Sequence, residues 1–147
     1  MKKLIFFILA AMSLLFSLCG CDQNKPLQDG TYVARWGSFD AHGWREYVII
    51  TVADGKPTDV VFDAENELGE KKSEDTAYQT AMELVTGTYP AKAYKELAEA
   101  YLQSDGTGDM TPITGATRSS ERFVVLADAL KKQMQDGNTD ELWYYPD

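Results

Sequence analysis

The first half of the folded region contains stretches in which apolar and polar residues alternate, and this pattern predicts β-strands. Residues 30–36 and 45–52 both alternate in this way. Asp54-Gly55 follows the second stretch and predicts a hairpin turn, with a return strand over residues 60–62. The positions that share an apolar face are Tyr32, Ala34, Trp36, Val48, Ile50 and Val52. Three antiparallel strands with one apolar face form a sheet that can cover a core.

Three later stretches repeat apolar residues every three or four positions, which is the spacing of one face of an α-helix. The first helix is predicted from Ser73, its N-cap, to Thr86, and the second opens at Pro90. The third begins near Ser119 or Ser120 and runs to about residue 135. The apolar positions are Ala77, Tyr78, Ala81, Met82 and Val85, then Tyr94, Leu97, Ala98, Tyr101 and Leu102, then Phe123, Leu126, Ala127, Leu130 and Met134. We interpret the aromatic residues among them as core residues.

The order of these elements predicts an α+β domain, a small antiparallel sheet of about three strands packed with about three helices. The C-terminal tail, residues 142–145, reads Leu-Trp-Tyr-Tyr and is too aromatic to be free. We expect it to pack on the domain, with an edge strand as the candidate conformation. The sequence shows neither an internal repeat nor a second domain.

The N-terminus has the pattern of a secretory signal. A charged start, Met1-Lys2-Lys3, precedes an apolar run over residues 4–16 and the ending Leu18-Cys19-Gly20-Cys21. This ending resembles a bacterial lipobox, so we predict a signal peptide at 1–21, a lipid on Cys21 and a polar tether at 22–29. The alternative is an uncleaved transmembrane anchor, although the apolar run is short for a span. Both interpretations place the folded part outside the cytoplasm and hold it to a membrane.

The composition argues against several kinds of site. Once Cys19 leaves with the signal and Cys21 carries lipid, no cysteine remains for a disulfide, a haem or an iron–sulfur cluster. His42 is the only histidine, which leaves no support for a histidine-rich metal site or a Ser-His-Asp arrangement. The formal net charge of −9 argues against a nucleic-acid partner. We therefore predict neither a metal nor a nucleic acid as ligand.

The loop with the strongest candidates for ligand binding is residues 113–120, Ile-Thr-Gly-Ala-Thr-Arg-Ser-Ser. Gly115 has no Cβ, so another group can approach the backbone closely there. Hydroxyl groups at Thr114, Thr117, Ser119 and Ser120 converge on one region. The helix that follows offers free N–H groups and the positive end of its dipole, which suit a phosphate. A serine-capped loop that binds nothing is the simpler alternative.

This loop resembles the Ser/Thr-Gly-Ala-Thr motif of FMN-binding domains. Such domains occur in the C subunit of the sodium-pumping NADH:quinone oxidoreductase, in the G subunit of the Rnf complex and in small exported lipoproteins. The resemblance extends over about residues 30–136, with Gly30-Thr31-Tyr32, the 54–55 hairpin and the motif in the same order. It implies that residues 30–147 are an FMN-binding domain with a C-terminal tail.

The resemblance implies FMN as the cofactor. In the family a flavin transferase joins the FMN phosphate to the last threonine of the motif, which is Thr117 here. Thr114, Gly115, Ala116, Ser119 and Ser120 would then surround the attachment point. In the loop that follows the hairpin, the residues expected to line the pocket near the flavin ring are Asn66 and Gly69, with Lys72 and Ser73 as further candidates. A surface position is the alternative for the charged residues of that loop.

One departure from the family pattern concerns covalent attachment. The family usually has an aspartate a few residues before the motif, whereas Asp109 lies five residues before Thr114. The wider spacing argues against covalent attachment more than it argues against flavin binding.

No acid–base pair suggests a substrate site, so we assign no catalytic residue and expect an electron carrier rather than a self-sufficient enzyme. The hypothesis is a membrane-anchored extracytoplasmic flavoprotein with unidentified redox partners. The alternative is an exported surface or binding lipoprotein of the same fold that holds flavin non-covalently or not at all.

Overall fold

The computed structural model describes residues 25–146, which form one α+β unit. Four strands make the sheet: β1 (Gly30–Trp36), β2 (Arg45–Ala53), β3 (Lys56–Glu65) and β4 (Leu142–Tyr144). They lie in the order β3-β2-β1-β4. β1, β2 and β3 are antiparallel neighbours, whereas β4 pairs with β1 in parallel. The predicted fold class is confirmed, and the aromatic tail does form an edge strand, but its parallel pairing makes the sheet mixed.

The structure has three α-helices, α1 (Thr76–Thr86), α2 (Pro90–Gln103) and α3 (Thr117–Asp136), of which α2 and α3 pack on the sheet. A 3₁₀ turn, Lys72–Glu74, precedes α1. α2 packs mainly on β3, and α3 packs across β1 and β2. This arrangement brings the starts of α2 and α3 to the same region of the domain.

The core lies between the sheet and the two long helices. The ring of Phe62 packs edge-on against Tyr94, with 4.9 Å between centroids, and against Phe123 at 5.1 Å. The largest fully buried side chains are Tyr32, Tyr101, Phe123, Ile50, Leu97, Leu126, Leu130, Met134 and Val48. These are positions that the period-2 and helical patterns place on apolar faces, so the predicted core of β1, β2, α2 and α3 is confirmed.

The apolar stripe predicted for the first helix is not buried. α1 contains no buried residue, and Val85 is 83% exposed. Its start also differs, because Asp75 caps the helix by accepting from the Tyr78 amide, while the Ser73 hydroxyl donates to Asp63. Helical spacing indicates an apolar stripe but says nothing about whether another element covers it, and here α1 lies at the margin of the domain.

The third helix begins at Thr117, two residues before the nearer of the two predicted starts. Ala116 occupies the N-cap position and provides no side-chain hydrogen bond. The helix ends as predicted, since Gly137 adopts the left-handed conformation that closes it.

The predicted signal peptide, Cys21 and the first residues of the predicted tether lie outside the described residues. The remainder of that segment is docked on the domain. The Gln28 amide donates to the Met134 carbonyl at 2.8 Å, and the Lys25 ammonium pairs with Asp136 at 2.8 Å. Across residues 25–146, no helix is both long enough and apolar enough to cross a membrane.

Candidate ligand-binding cleft

Gly115 is in close contact with another part of the chain. It adopts a φ of +81°, and a Cβ placed there would lie 2.6 Å from the Thr86 carbonyl oxygen. Such a distance is far inside the optimal contact range for carbon. The predicted close approach is therefore present, and the approaching group is the backbone of Thr86, the last residue of α1. This contact seats the motif loop against the end of α1.

Ser120 has a structural role in this loop. Its hydroxyl donates to the Ala116 carbonyl and accepts from the Ile113 amide, both at 3.0 Å, and the residue is buried. These two hydrogen bonds hold the loop against the first turn of α3. The first amides of the helix have no side-chain cap. An uncapped first turn leaves N–H groups available to an anion.

A small cleft of about 50 Å³ opens beside the start of α3. Its volume is well below that of pockets that enclose a whole small molecule, roughly 300 to 1,000 Å³, so it can enclose only part of a ligand. The walls come from α1, the 88–90 connection, the start of α2 and the motif. The lining residues are Lys72, Tyr78, Met82, Thr88, Tyr89, Pro90, Ala93, Tyr94, Gly115, Ala116 and Ser119.

Two polar groups in this cleft have no partner among the described residues. Lys72 is only 8% exposed, yet its ammonium makes neither a hydrogen bond nor an ion pair there. It lies 4.6 Å from the centre of the Tyr78 ring and 5.6 Å from that of Trp44, which partly offsets the burial of its charge. Thr88 is 6% exposed, and its hydroxyl is buried without a partner. Buried polar groups are normally hydrogen-bonded, so both atoms suit an external ligand.

Asp40 provides a fixed negative charge next to these groups. Its side chain is 4% exposed and accepts from the His42 and Trp44 amides at 2.8 and 3.0 Å. Burial opposes its ionisation, yet the pKa of this carboxyl is lowered. The two amide hydrogen bonds outweigh burial, and the positive charges of Lys72 and Arg118 add to them.

The floor of the cleft contains Tyr94, whose hydroxyl remains protonated at neutral pH. Burial raises its pKa well above the ordinary value, and the carboxylates of Glu46 and Asp63 add to the shift. Glu46 is itself buried and forms a close ion pair with Arg122, whose guanidinium lies 4.3 Å from the Trp36 ring centre. Tyr94 can therefore act as a donor to a ligand but not as an anion.

The structure brings some of the predicted site residues together and separates others. Gly115, Ala116 and Ser119 line the cleft. Thr114 and Thr117 are exposed beside them in the loop and at the first residue of α3, whereas Ser120 points inward.

Asn66 and Gly69 do not line this cleft. The Asn66 amide donates to Glu70 at 2.7 Å, its carbonyl accepts from the Leu68 and Glu70 amides, and the residue borders a separate depression. Gly69 is exposed, with open space around its Cα. Of the candidates from that loop, the structure places Lys72 in the cleft. The Ser73 hydroxyl instead donates a hydrogen bond to the Asp63 carboxylate.

Some lining residues have no recognisable signal in the sequence. Thr88, Pro90 and Ala93 reach the cleft because the turn after α1 brings the start of α2 against the motif. Across residues 25–146, no group of three or more His, Cys, Asp or Glu side chains is arranged to hold a metal ion.

The chain is similar to the 15 kDa lipoprotein of Treponema pallidum (strain Nichols), with 33% identity over 132 residues. The aligned region covers 86% of this chain and 94% of the relative. The chain belongs to the family of that lipoprotein. The match spans nearly the whole relative, so the two proteins share one domain plan.

Solved structures agree with this plan. A crystal structure of a protein from Clostridium perfringens matches with a TM-score of 0.79 and 33% identity, over 82% of this lipoprotein-family chain and 99% of that one. A solution structure from Clostridium thermocellum matches with a TM-score of 0.51 and 22% identity, over 82% and 100%, and shows likeness of fold alone. No protein-family model matches the chain.

Proposed function

We propose that this chain is a lipid-anchored extracytoplasmic flavoprotein that binds FMN at the cleft and carries electrons. One observation supports the proposal most: Lys72, whose ammonium has no hydrogen bond or ion pair among the described residues, and the buried, unpartnered Thr88 hydroxyl line the same cleft as Gly115 and Ala116 of the motif. Unpaired polar groups that converge beside apolar side chains are typical of a small-molecule site.

The attachment point is Thr117, whose hydroxyl oxygen would bond to the FMN phosphorus while the flavin transferase breaks the pyrophosphate of FAD and releases AMP. Thr117 is the first residue of a 20-residue helix, and its side chain is exposed, so a flavin transferase can reach it. The uncapped amides of the first turn, the Ser119 hydroxyl and Arg118 would donate to the phosphate. A phosphate at a helix N-terminus is favoured by the dipole as well as by these donors.

The isoalloxazine ring is larger than this cleft, so it would lie partly outside it, against the surrounding surface. Tyr78, Met82, Pro90 and Ala93 provide apolar surface, and Tyr94 provides a hydroxyl donor. Bound FMN would supply the electron-transfer chemistry, and this chain would supply attachment and orientation.

The anchor is supported by two independent observations. The sequence has a signal that ends in a lipobox at Cys21, and a relative of the same family is named a lipoprotein. A lipid on Cys21 would hold the domain at the extracytoplasmic surface of a membrane, with residues 25–29 docked on the domain rather than extended.

A second candidate function is an exported surface lipoprotein that holds flavin non-covalently or not at all. The name of the relative favours it, because that name refers to a lipoprotein and to no cofactor. Asp109 also favours it, since this residue is exposed and lies five residues before Thr114.

In-gel flavin fluorescence after denaturation tests the proposal. Wild type, Thr117→Ala and the matched control Thr111→Ala, an exposed threonine outside the motif, would be exported from a host that expresses a flavin transferase, beside a known flavinylated protein. We expect fluorescence from wild type and Thr111→Ala and none from Thr117→Ala. A dark wild-type band beside a bright control protein would refute covalent attachment. Flavin absorbance of the native protein would then separate the non-covalent form from a protein without flavin.

A further inference from the structure

The cation at Lys72 lacks a direct ion-pair partner. The residue is 8% exposed, and among the described residues no carboxylate lies within ion-pair distance of its ammonium. The ammonium keeps some contact with solvent, and its partial burial is offset by the rings of Tyr78 and Trp44 and by the more distant charge of Asp40. Its neighbour Lys71 shows the ordinary arrangement, half-exposed and paired with Glu74 at 3.3 Å.

Asp40 links this cation to the start of α3. Its carboxylate lies 3.9 Å from the Arg118 guanidinium and is close enough to Lys72 for the two charges to interact. The His42 and Trp44 amides fix the carboxylate, so it can orient both cations. Lys72, Arg118 and Asp40 together carry a net positive charge beside the uncapped first turn of α3, whereas the buried carboxylates of Glu46 and Asp63 act on the floor of the cleft.

We propose that Lys72 and Arg118, oriented by Asp40, recognise the phosphate of the bound ligand and make the cleft selective for FMN over riboflavin. The inference rests on the proposed function, and it assigns to Lys72 a role that the motif alone does not indicate. Lys72 and Arg118 would contact the phosphate, whereas Asp40 would be a positioning residue. The unpartnered Thr88 hydroxyl faces the same space and is a further donor.

Glu121, in the first turns of α3, opposes an anion in this region. Its side chain is exposed and borders the neighbouring apolar groove rather than the cleft. Solvent therefore screens it more than it screens the buried Lys72. Recognition of a phosphate would therefore depend on direct contacts with Lys72 and Arg118 rather than on the charge of the whole chain, which is acidic.

The test compares FMN with riboflavin, which differ only in the phosphate. Wild type, Lys72→Met, Lys72→Arg, Arg118→Met and the matched surface control Lys71→Met would be made without a flavin transferase, and flavin fluorescence would be titrated with each protein. We expect Lys72→Met to weaken FMN binding by roughly 10- to 100-fold, the range for a lost hydrogen bond between charged groups. Riboflavin affinity should not change, and Lys71→Met should match wild type for both ligands.

Each outcome separates this inference from the proposed function. Equal loss of FMN and riboflavin affinity in Lys72→Met would place Lys72 at the ring and overturn phosphate recognition. Unchanged FMN affinity would also overturn it, with flavin binding left intact. Should Lys72→Met fail to fold, the exposed Arg118→Met must weaken FMN relative to riboflavin, and Lys72→Arg must retain the selectivity, or the inference is wrong.

A wild type that binds neither free flavin would leave covalent attachment to the in-gel fluorescence test, because that attachment needs a transferase. Inorganic phosphate would then be titrated while the amide resonances of residues 117–119 are followed by NMR. Shifts present in wild type and lost in Lys72→Met would support the anion site, and their absence in wild type would overturn it.

Discussion

The substitution Gly115→Ala tests the contact that seats the motif loop. The added methyl would lie 2.6 Å from the Thr86 carbonyl oxygen and 3.1 Å from the Thr88 methyl carbon. The carbonyl belongs to the backbone and cannot rotate away. The loop and the end of α1 must therefore separate to accommodate the methyl group.

Two terms determine the expected loss of stability. A left-handed conformation costs a non-glycine residue about 1–2 kcal/mol, and overpacking costs about 1–3 kcal/mol. Gly69→Ala is the matched control, because Gly69 has a φ of +78° with nothing within 4 Å of the added methyl. The control should lose only the stability that the left-handed conformation costs. Gly115→Ala also bears the cost of overpacking, so it should be less stable than Gly69→Ala by about 1–3 kcal/mol.

Urea unfolding followed by tryptophan fluorescence measures both free energies of unfolding. We expect Gly115→Ala to lower the midpoint with an unchanged slope, since the unfolded states are alike. Equal losses in the two variants would refute the reasoning, because they would mean that Thr86 does not approach Gly115 in solution.

Three further substitutions test polar groups in and beside the cleft. Thr88→Val removes a buried, unpartnered hydroxyl with little change of shape, so the ligand-free protein should gain about 1–3 kcal/mol in urea unfolding; a loss of stability would contradict the assignment. Thr86→Val should instead destabilise, because the Thr86 hydroxyl donates to the Met82 carbonyl at 2.9 Å. Asp40 has a pKa below its unfolded value, so its stabilisation is present at neutral pH and is lost as pH falls below about 4. The stability gap between wild type and Asp40→Asn should therefore narrow from pH 7 to pH 3, and a constant gap would show that Asp40 ionisation does not stabilise the fold.

The sequence predicted the elements whose signals are local. Alternation over residues 45–52 predicted β2, Asp54-Gly55 predicted the hairpin, and Gly137 predicted the end of α3. A glycine in the motif predicted a close approach, and the structure has one at Gly115. These features depend on the conformational preferences of a few adjacent residues, so they can be inferred without knowledge of the fold.

The tertiary structure alone determined which residues share the cleft. Lys72 belongs to a charged loop, and nothing in its sequence neighbourhood distinguishes it from the exposed Lys71. Its burial follows from the packing of Trp44 and Tyr78 around it, and its proximity to Asp40 and Arg118 follows from the way β2 and α3 meet.

The same limit explains the two differences in the fold. The apolar stripe of α1 remains exposed because no element covers it, and β4 pairs in parallel because the chain returns from α3 to the free edge of β1. Local propensity specifies each element, whereas burial and pairing depend on contacts between residues far apart in the chain.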